Sequence, residues 1–552
     1  MKISNLSLFL YESTNFLALA FQCRDFHKLD NITDICDFVN QTASCAIDEG
    51  FITYTSFIYC YFSTELLPLA VFILLIWWLL LFIGLAVTAD DFFCPALTVI
   101  SKTLGLSVTF LAFGNGAPDI FSAIAAIGNA KNGDAGLAMG ALLGAGVFVT
   151  TVVAGVIAII CPFDAMQRPF LRDVIFYLAA VFWTFYILWK KEITKYESIG
   201  FIGLYVVYVL VVVVGRYIYQ KSRGQPAPPV TVVTQNTITD ERRPLLNTDQ
   251  KLPAYVDSTV SVEYQPYSSI SHFFSSLNPI DSAAWQKSSC FGKIYHIFKS
   301  PAVFMLKLTI PVVDYDVENH NWCRYLNALH LTTGPMFAIF STKCKYYNLR
   351  LKYIFNVYPV WAIILPIGLL LTLSVILSSK HHPQPIYHPL FAYLGFLVAV
   401  IWIYCIANEV VNILQTFGIV FDISNAILGL TFLAWGNSVG DLIADTAMAR
   451  QGYPRMGISA CFGGPLFNLL LGIGIPFTIG TIKQGGSYKI NLTLEEYVLA
   501  GFLGFSLVSS LLIVSLSKFR MSRGWGVYLM ILYVVFLVIA ILAETGVINA
   551  QV

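Results

Sequence analysis

Residues Thr109 to Asp119 read Thr-Phe-Leu-Ala-Phe-Gly-Asn-Gly-Ala-Pro-Asp, and residues Thr431 to Asp441 read Thr-Phe-Leu-Ala-Trp-Gly-Asn-Ser-Val-Gly-Asp. Seven of the eleven aligned positions are identical, and each copy lies in a hydrophobic segment that a glycine-rich segment follows. A match of this quality in two equivalent contexts indicates an internal duplication. The repeated stretch therefore predicts two copies of one structural unit in a single chain.

The composition places both copies in a membrane. Of the 552 residues, 57% are hydrophobic and 12% are charged, whereas an ordinary soluble protein carries roughly 25% charged residues. This leaves too little polar surface for a water-soluble globule, and it excludes a cytosolic enzyme, a disordered protein and a disulfide-rich secreted domain. The net charge of +1 gives no field that would attract nucleic acid. We expect an all-α polytopic membrane protein whose surroundings are the lipid bilayer.

Eleven segments are long and apolar enough to span a bilayer, which takes about 20 mostly apolar residues. Five form a first repeat within residues 66–219, and five form a second repeat within residues 389–552. The predicted spans are 66–89, 97–129, 134–161, 169–190, 197–219, 354–379, 389–416, 424–448, 457–480, 495–517 and 524–546.

The odd number of helices in each unit determines its geometry. A five-span unit that directly follows another enters the membrane from the opposite side and is inverted. The extra span at 354–379 undoes this inversion unless one more segment crosses, and Tyr325–Ser341 is the candidate despite its Gly334-Pro335 pair. We therefore expect about twelve spans: two inverted five-helix repeats and two linking spans within residues 325–388. Basic residues stand on both predicted faces, so the positive-inside rule leaves the orientation open.

Two polar regions lie outside the repeats. Residues 1–65 contain four cysteines and two glycosylation sequons, at Cys23, Cys36, Cys45, Cys60, Asn31 and Asn40. This pattern favours a small, disulfide-stapled region facing an oxidising compartment over four unpaired cysteines. The opening segment Met1–Gln22 is a poor match to a signal peptide, and the sequence leaves open whether it is cleaved. Residues 220–324 are expected to form a flexible hydrophilic loop on the opposite face of the membrane.

The repeated stretch places a carboxylate within a membrane helix twice. An Asp at the bilayer centre costs about 2.5–3.5 kcal/mol on insertion scales, yet Asp119 and Asp441 occupy equivalent positions. Residues that disrupt helices stand beside them, namely Gly114, Gly116, Pro118, Gly436 and Gly440. A helix broken at the midplane frees backbone carbonyls, which is tolerable only where they line a cavity or bind an ion. Two matched Asp residues in broken helices therefore favour an ion site over simple hydrogen bonds between helices.

Neutral oxygens accompany the two carboxylates. Asn115, Asn437 and Ser438 lie inside the repeated stretch, and Thr109 and Thr431 begin its two copies. Such an all-oxygen set suits hard cations, and Ca²⁺ takes six to eight oxygens at about 2.3–2.6 Å. Two Asp charges balance one Ca²⁺ and would also hold Na⁺ or protons. No His or Cys accompanies them, which argues against zinc or copper, and no bound cofactor is expected.

The third span of each repeat is expected to contribute unequally. Asn468 lies in the span after the second motif, where its side chain could face the site. Its aligned partner in the first repeat is the apolar Val149, so Thr150 or Thr151 would have to supply an oxygen there.

Three further polar residues lie in spans of the second repeat. Asn408 and Glu409 fall in the 389–416 span. The sequence favours neither of two roles for them, part of an ion path or a structural polar contact. Asp445 follows Asp441 by one turn and would lie nearer the mouth of the site.

With these residues in hand, the sequence resembles the sodium/calcium exchanger (cation/calcium antiporter) superfamily, in particular its mitochondrial sodium/calcium exchanger branch. The resemblance covers most of the chain and rests on Cys23-Arg-Asp, Cys36-Asp-Phe-Val, Gly114-Asn-Gly-Ala-Pro-Asp-Ile-Phe-Ser122, Leu433-Ala-Trp-Gly-Asn-Ser-Val-Gly-Asp441, Ala449-Arg-Gln-Gly-Tyr-Pro-Arg-Met456 and Ser459-Ala-Cys-Phe-Gly-Gly464. It implies ten core helices in two inverted units that work by alternating access. It also implies ligands at Asp119, Asp441, Asn115, Asn437 and Ser438.

The sequence departs from the better-known plasma-membrane members of this superfamily. Those members carry Glu at the two acidic positions and Asn or Asp on the third helix of each repeat. Here the two acids are the shorter Asp, Val149 is apolar and only Asn468 is polar. The smaller ligand set leaves the coupling stoichiometry and the counter-ion open.

We expect a secondary antiporter, not an enzyme, that exchanges Ca²⁺ for Na⁺, with Li⁺ as a further candidate. A Ca²⁺/H⁺ exchanger is the alternative, because a pair of membrane Asp residues can titrate. An intramembrane aspartic protease pairs a Tyr-Asp motif with a Gly-x-Gly-Asp motif, and neither Asp119 nor Asp441 fits. An ion channel is the less favoured use of the same site.

The resemblance implies the mitochondrial inner membrane. No Arg-rich amphipathic presequence opens the chain, and the sequons and clustered cysteines favour the plasma membrane or endomembranes.

Overall fold

The structure is a computed structural model in which the described residues are 23, 32–42, 45, 51–62, 64–104, 109–130, 135–223, 269–280, 282–315, 318–341, 353–354, 358–380, 384–450, 452–483, 485–490 and 494–544. The predicted signal segment, the sequon asparagine Asn31 and residues 224–268 of the expected loop lie outside these residues.

The N-terminal polar region contains two short helices, α1 (Ile32–Gln41) and α2 (Tyr54–Tyr61). Two disulfides, Cys23–Cys45 and Cys36–Cys60, tie the region together. The predicted staple is therefore confirmed, and the two bridges interleave along the chain. We call the described residues from Cys23 to Phe62 the N-terminal module.

The first repeat consists of five spans. The first is continuous through α3, a π-helical turn and α4; the third is continuous through α6, a second π-turn and α7. In chain order the elements are α3 (Leu67–Val87), the π-turn Thr88–Phe93, α4 (Cys94–Leu104), α5 (Thr109–Asn129), α6 (Gly136–Phe148), the π-turn Val149–Val153, α7 (Ala154–Ile160), β1 (Phe163–Asp164), α8 (Gln167–Lys190), β2 (Glu192–Thr194) and α9 (Lys195–Arg223).

The region between the repeats is more helical than the sequence predicts. Its elements are α10 (Ser269–Leu277), α11 (Ser282–Lys287), α12 (Cys290–Thr309), α13 (Arg324–Ser341), β3 (Tyr353–Ile354), β4 (Tyr358–Pro359) and α14 (Val360–Ser378). The second half of the expected flexible loop thus forms helices. One reason is that α12 has an apolar side that packs on the bundle, where the Trp402 indole N–H donates to Thr309 Oγ1 at 2.8 Å.

The second repeat again has five spans. Its elements are α15 (Leu390–Phe421), α16 (Asn425–Leu428), the π-turn Gly429–Leu433, α17 (Ala434–Arg450), α18 (Pro454–Lys483), β5 (Ser487–Lys489), α19 (Leu494–Leu516), β6 (Arg520–Met521) and α20 (Arg523–Glu544).

The number of long helices agrees with the expected twelve spans. Within the described ranges, ten helical segments are long and apolar enough to cross a membrane. The helices α5 and α13, with 21 and 18 residues, supply the other two predicted spans. The chain is an all-α polytopic membrane protein.

Two short strand pairs show that the repeats are inverted. The strand β1, between the third and fourth spans of the first repeat, pairs with β6, between the fourth and fifth spans of the second. Reciprocally, β2 lies between spans four and five of the first repeat and pairs with β5, between spans three and four of the second. Paired strands lie on one face of the membrane. Equivalent connections of the two repeats therefore lie on opposite faces, as an inverted duplication requires.

Counting helices assigns each connection to a face. The module face carries the N-terminal module and the β2–β5 pair. The loop face carries the end of α9, the β1–β6 pair and the beginning of α13.

The two third spans form the centre of the bundle. Their most apolar windows are 78% and 72% buried, whereas those of the other spans are 50% buried or less. Glycines permit this central packing: a Cβ added to Gly144 would lie 2.7 Å from the Cα of Leu430 in the opposite repeat. Such contacts are typical of membrane helices that pack through small residues.

The structure corrects two details of the predicted spans. The first helix does not end at residue 89 but continues to Leu104, because its π-turn leaves Asp90 and Asp91 exposed on the helix surface. The helix is not broken at either motif: α5 runs through the first motif, and the second motif passes from the π-turn Gly429–Leu433 directly into α17. Proline is accommodated because Pro118 only leaves the carbonyl of Gly114 without its helical donor.

The inverted pairing predicts which engineered cysteines will cross-link. Opposed Cα atoms in an antiparallel pair are about 4.5–5.5 Å apart, within disulfide range. We therefore expect Glu192→Cys with Lys489→Cys, and Asp164→Cys with Arg520→Cys, to form disulfides on oxidation. Peptide mass spectrometry would detect them. The pair Asp164→Cys with Lys489→Cys is the control that should stay unlinked, and its cross-linking would mean that the repeats are parallel.

Candidate cation site

The second span of the first repeat meets the third span of the second repeat at Asp119. The Asn468 amide nitrogen on α18 donates to Asp119 Oδ2 on α5 at 2.5 Å. Both residues are buried, with 6% and 5% of their surface exposed. The close approach depends on Gly116: a Cβ there would lie 2.1 Å from Asn468 Oδ1 and 2.6 Å from the Phe467 ring. The sequence predicts that Asn468 faces the site, and the structure places its side chain against the Asp119 carboxylate.

The second motif reaches the same place from α17. The Asn437 side chain lies beside the Asp119 carboxylate without hydrogen-bond geometry. Asp441, which is only partly buried, lies within electrostatic range of Asp445, Asp119 and Asp90. The structure therefore brings both motif carboxylates into one electrostatically coupled region.

Several buried polar atoms at this site have no hydrogen-bond partner among the described residues. They are both side-chain polar atoms of Asn437, Ser438 Oγ, Asn468 Oδ1, Ser122 Oγ and the Tyr177 hydroxyl. An unsatisfied buried polar group costs about 1–3 kcal/mol, so several around two carboxylates are expensive unless another group compensates them. Oxygens in such a set are available to a hard cation.

Ser122 and Tyr177 are the two residues that sequence reasoning missed. Ser122 follows Asp119 by three residues on α5 and is fully buried, so helical spacing from the motif could have found it. Tyr177 comes from α8 and is fully buried within electrostatic range of Asp119. A Cβ on Gly146 would lie 2.2 Å from its hydroxyl, so the phenol lies tightly against α6. No sequence pattern links that helix to the motif.

The threonine candidates are bonded to their own helices. Thr431 Oγ1 donates to the Ile427 carbonyl at 2.6 Å. Thr150 and Thr151 in the third span likewise donate to carbonyls one turn earlier, at 2.7 and 2.5 Å. A donating hydroxyl still has lone pairs, but these side chains are not among the unsatisfied atoms. The side chains of Thr109 and Asn115 lie outside the described part of the chain.

The three second-repeat candidates have defined partners. Asp445 accepts from the Cys461 thiol at 3.6 Å, on the loop-face side of Asp441. Glu409 accepts from the backbone N–H of Phe51 and from the Tyr54 hydroxyl, both at 2.5 Å. Asn408 accepts from Asn129 at 3.0 Å. These last two lie on the module-face side of the central site.

The charge balance of the site favours a bound cation. Within the described ranges, neither Asp119 nor Asp441 forms a salt bridge. No group of three or more His, Cys, Asp or Glu side chains is placed to hold a metal in the same part of the chain. The two carboxylates, with the neighbouring amide and hydroxyl oxygens, are ligands that suit hard cations.

Comparison with known proteins agrees with this geometry. The family profile described as "Sodium/calcium exchanger protein" matches residues 74–214 and 391–542, which are the two repeats. The chain belongs to the sodium/calcium exchanger family. It is 43% identical to a mitochondrial sodium/calcium exchanger protein of Gallus gallus, over 96% of this chain and 91% of the relative. With the protein of that name from Homo sapiens it shares 43% identity, over 94% of this chain and 90% of the relative.

More distant similarities extend to other exchangers. The cation/calcium exchanger 5 of Arabidopsis thaliana is 32% identical, over 92% of this chain and 90% of the relative. A crystal structure of the H⁺/Ca²⁺ exchanger CAX aligns with a TM-score of 0.42 and 12% identity, over 84% of this chain and 83% of that chain.

Two glycine substitutions test how tightly the helices pack at the site. Gly116→Ala forces Asn468 and Phe467 away from α5, and we expect it to lower the free energy of unfolding by about 1–3 kcal/mol, as overpacking does. Gly440→Ala is the matched control, because nothing lies within 4 Å of its added Cβ, and it should stabilise by about 0.5–1 kcal/mol. Thermal unfolding in detergent measures both. Equal midpoints for the two variants would show that α5 and α18 do not touch at Gly116.

Proposed function

We propose that the protein is a secondary antiporter that exchanges Ca²⁺ for Na⁺ by alternating access. The observation that carries this proposal is the buried, incompletely bonded oxygen set around Asp119, to which both repeats contribute. The names of the exchanger relatives support the pair of transported ions.

Charge and ligand count favour Ca²⁺ as the cargo. Asp119 and Asp441 together carry two negative charges, which one Ca²⁺ neutralises. Their carboxylates, with the side-chain oxygens of Asn437, Asn468 and Ser438, offer enough atoms for the six to eight oxygens that Ca²⁺ prefers. These oxygens also suit Na⁺, and two Na⁺ ions would replace one Ca²⁺ without a change of charge.

Exchange follows from the sharing of one site. A pair of carboxylates that is costly to leave uncompensated in the membrane would change face only when loaded. Inverted repeats supply two equivalent arrangements, one open to each face, since the site lies between them. A gradient of the counter-ion can then drive Ca²⁺ in the opposite direction. No step in this cycle requires covalent chemistry, so we propose a transporter and not an enzyme.

We place the protein in a mitochondrial membrane on the names of its relatives. The two disulfides then indicate that the module face is turned to an oxidising compartment.

Transport by reconstituted protein tests the site. Radiolabelled Ca²⁺ uptake into proteoliposomes should require an outward Na⁺ gradient. Asp119→Asn and Asp441→Asn should each lower the uptake rate by at least about tenfold when Ca²⁺ is far below saturation, where a tenfold loss of cation affinity corresponds to about 1.4 kcal/mol. Asp422→Asn is the matched control with normal uptake, because Asp422 ends α15 outside the site with a φ of 52°, which Asn tolerates.

The same vesicles separate the two candidate counter-ions. Uptake that follows an outward proton gradient and ignores Na⁺ would keep the Asp pair but replace the Na⁺ proposal by Ca²⁺/H⁺ exchange. Normal uptake by both Asp variants would refute the assigned site.

A further inference from the structure

A second polar cluster lies where α5 ends against α15. The Asn129 amide nitrogen donates to Asn408 Oδ1 at 3.0 Å and to Asn412 Oδ1 at 2.9 Å. Asn412 is fully buried, and Asn408 is 5% exposed. Asn129 follows Asp119 by ten residues, which places it about 15 Å along the helix axis toward the module face.

The geometry of the three amides is suited to a cation. The oxygens of Asn408 and Asn412 converge on one point, which the partly positive amide group of Asn129 now occupies. Asn129 Oδ1 and Asn412 Nδ2 are buried without a partner in the described ranges. A half-turn of the Asn129 amide would put its oxygen where the nitrogen now lies, beside the oxygens of Asn408 and Asn412. Three amide oxygens would then border a neighbouring position, and such oxygens are ligands that a hard cation takes.

Glu409 is the acidic neighbour of these amides along α15, one residue after Asn408 and three before Asn412. It is 6% exposed. Its two oxygens accept from the Phe51 N–H and the Tyr54 hydroxyl of the N-terminal module. Burial and the neighbouring charge of Glu409 raise the pKa of Tyr54, so the phenol keeps its proton and remains a donor.

A line of oxygens joins this cluster to the central site. Asp119, Ser122 and Asn129 follow one another at intervals of three and seven residues on α5, which places them on one helix face. Ser122 Oγ, between the two sites, is buried and has no partner in the described part of the chain. Since α5 packs on α15, the polar face of α5 lies along the boundary between the repeats.

We propose that Asn129, Asn408 and Asn412 form, with Glu409, a second cation subsite between the central site and the module face. Its ligand is a hard cation of the transported class, so the inference rests on the proposed function. In this conformation the N-terminal module closes the subsite, because Phe51 and Tyr54 occupy the carboxylate that would attract the ion.

The competing explanation is a purely structural lock, in which the same hydrogen bonds only fasten the module to α15. Tyr54→Phe distinguishes the two. It removes one donor and leaves every proposed ligand in place. If the subsite exists, Tyr54→Phe should tighten cation binding, because one Glu409 oxygen loses a competing donor. If the bonds are only a structural lock, the variant should weaken the attachment of the module and leave cation binding no tighter.

Terbium luminescence measures the subsite directly. Tb³⁺ is a hard cation that excited aromatic side chains sensitise at short range, and the Trp77 indole N–H donates to the Tyr54 hydroxyl at 3.1 Å. In an Asp119→Asn/Asp441→Asn background, which disables the central site, we expect sensitised emission to persist. Adding Glu409→Gln or Asn412→Leu should abolish it. Asn327→Leu, which removes a buried Asn from α13, is the control with unchanged emission.

Adding Tyr54→Phe in the same background should raise Tb³⁺ affinity by about tenfold, since a hydrogen bond to a charged group no longer competes. Emission that Glu409→Gln and Asn412→Leu leave unchanged, or an affinity that Tyr54→Phe leaves unchanged or lowers, would overturn the subsite. Tb³⁺ binding does not depend on transport. Failure of Na⁺-driven uptake with an intact Tb³⁺ signal would therefore refute the proposed function alone.

Discussion

The contact between Asn468 and Asp119 is the interaction on which the rest of the structure depends. It exists only because α18 of one repeat lies against the side-chain-free Gly116 of the other. The reciprocal contact, in which Gly144 of α6 lies against Leu430, follows from the same inverted arrangement. Each repeat therefore completes the motif region of its partner, and neither repeat alone encloses the carboxylates. The position of the site at the centre of the bundle is a consequence of this exchange of helices.

The two crossings are similar but not identical in chemistry. Where α18 crosses the first motif, Gly116 provides space and Asn468 the polar group. The aligned residues in the other half are Ser438, which is polar, and Val149, which is apolar. Each crossing thus has one neutral polar side chain, and both side chains, Asn468 on α18 and Ser438 on α17, belong to the second repeat. A buried carboxylate with too few donors is costly, and under the proposed function the transported cation would supply the missing compensation.

Much of this arrangement could be predicted from the sequence, because duplication, helix parity and the cost of membrane Asp residues are all properties of the chain itself. The expected twelve spans, the inversion and the location of Asn468 beside the motif all have counterparts in the structure. What could not be predicted depends on side-to-side contacts between helices distant in sequence. Tyr177 on α8 lies within electrostatic range of Asp119, and the Tyr54 hydroxyl of the N-terminal module donates to Glu409. Hydrophobic periodicity also does not reveal where a helix continues through Asp residues by forming a π-turn, as it does at Thr88–Phe93.

Release of Ca²⁺ from preloaded vesicles tests most directly whether one shared site changes face only when occupied. Proteoliposomes loaded with radiolabelled Ca²⁺ would be diluted, at equal pH, into media containing Na⁺, unlabelled Ca²⁺ or an inert organic cation. The account predicts rapid release into Na⁺ and into unlabelled Ca²⁺, and retention in the inert medium, because the unloaded carboxylate pair cannot cross. Equally rapid release into all three media would contradict it, since Ca²⁺ would then leave without an exchanging ion.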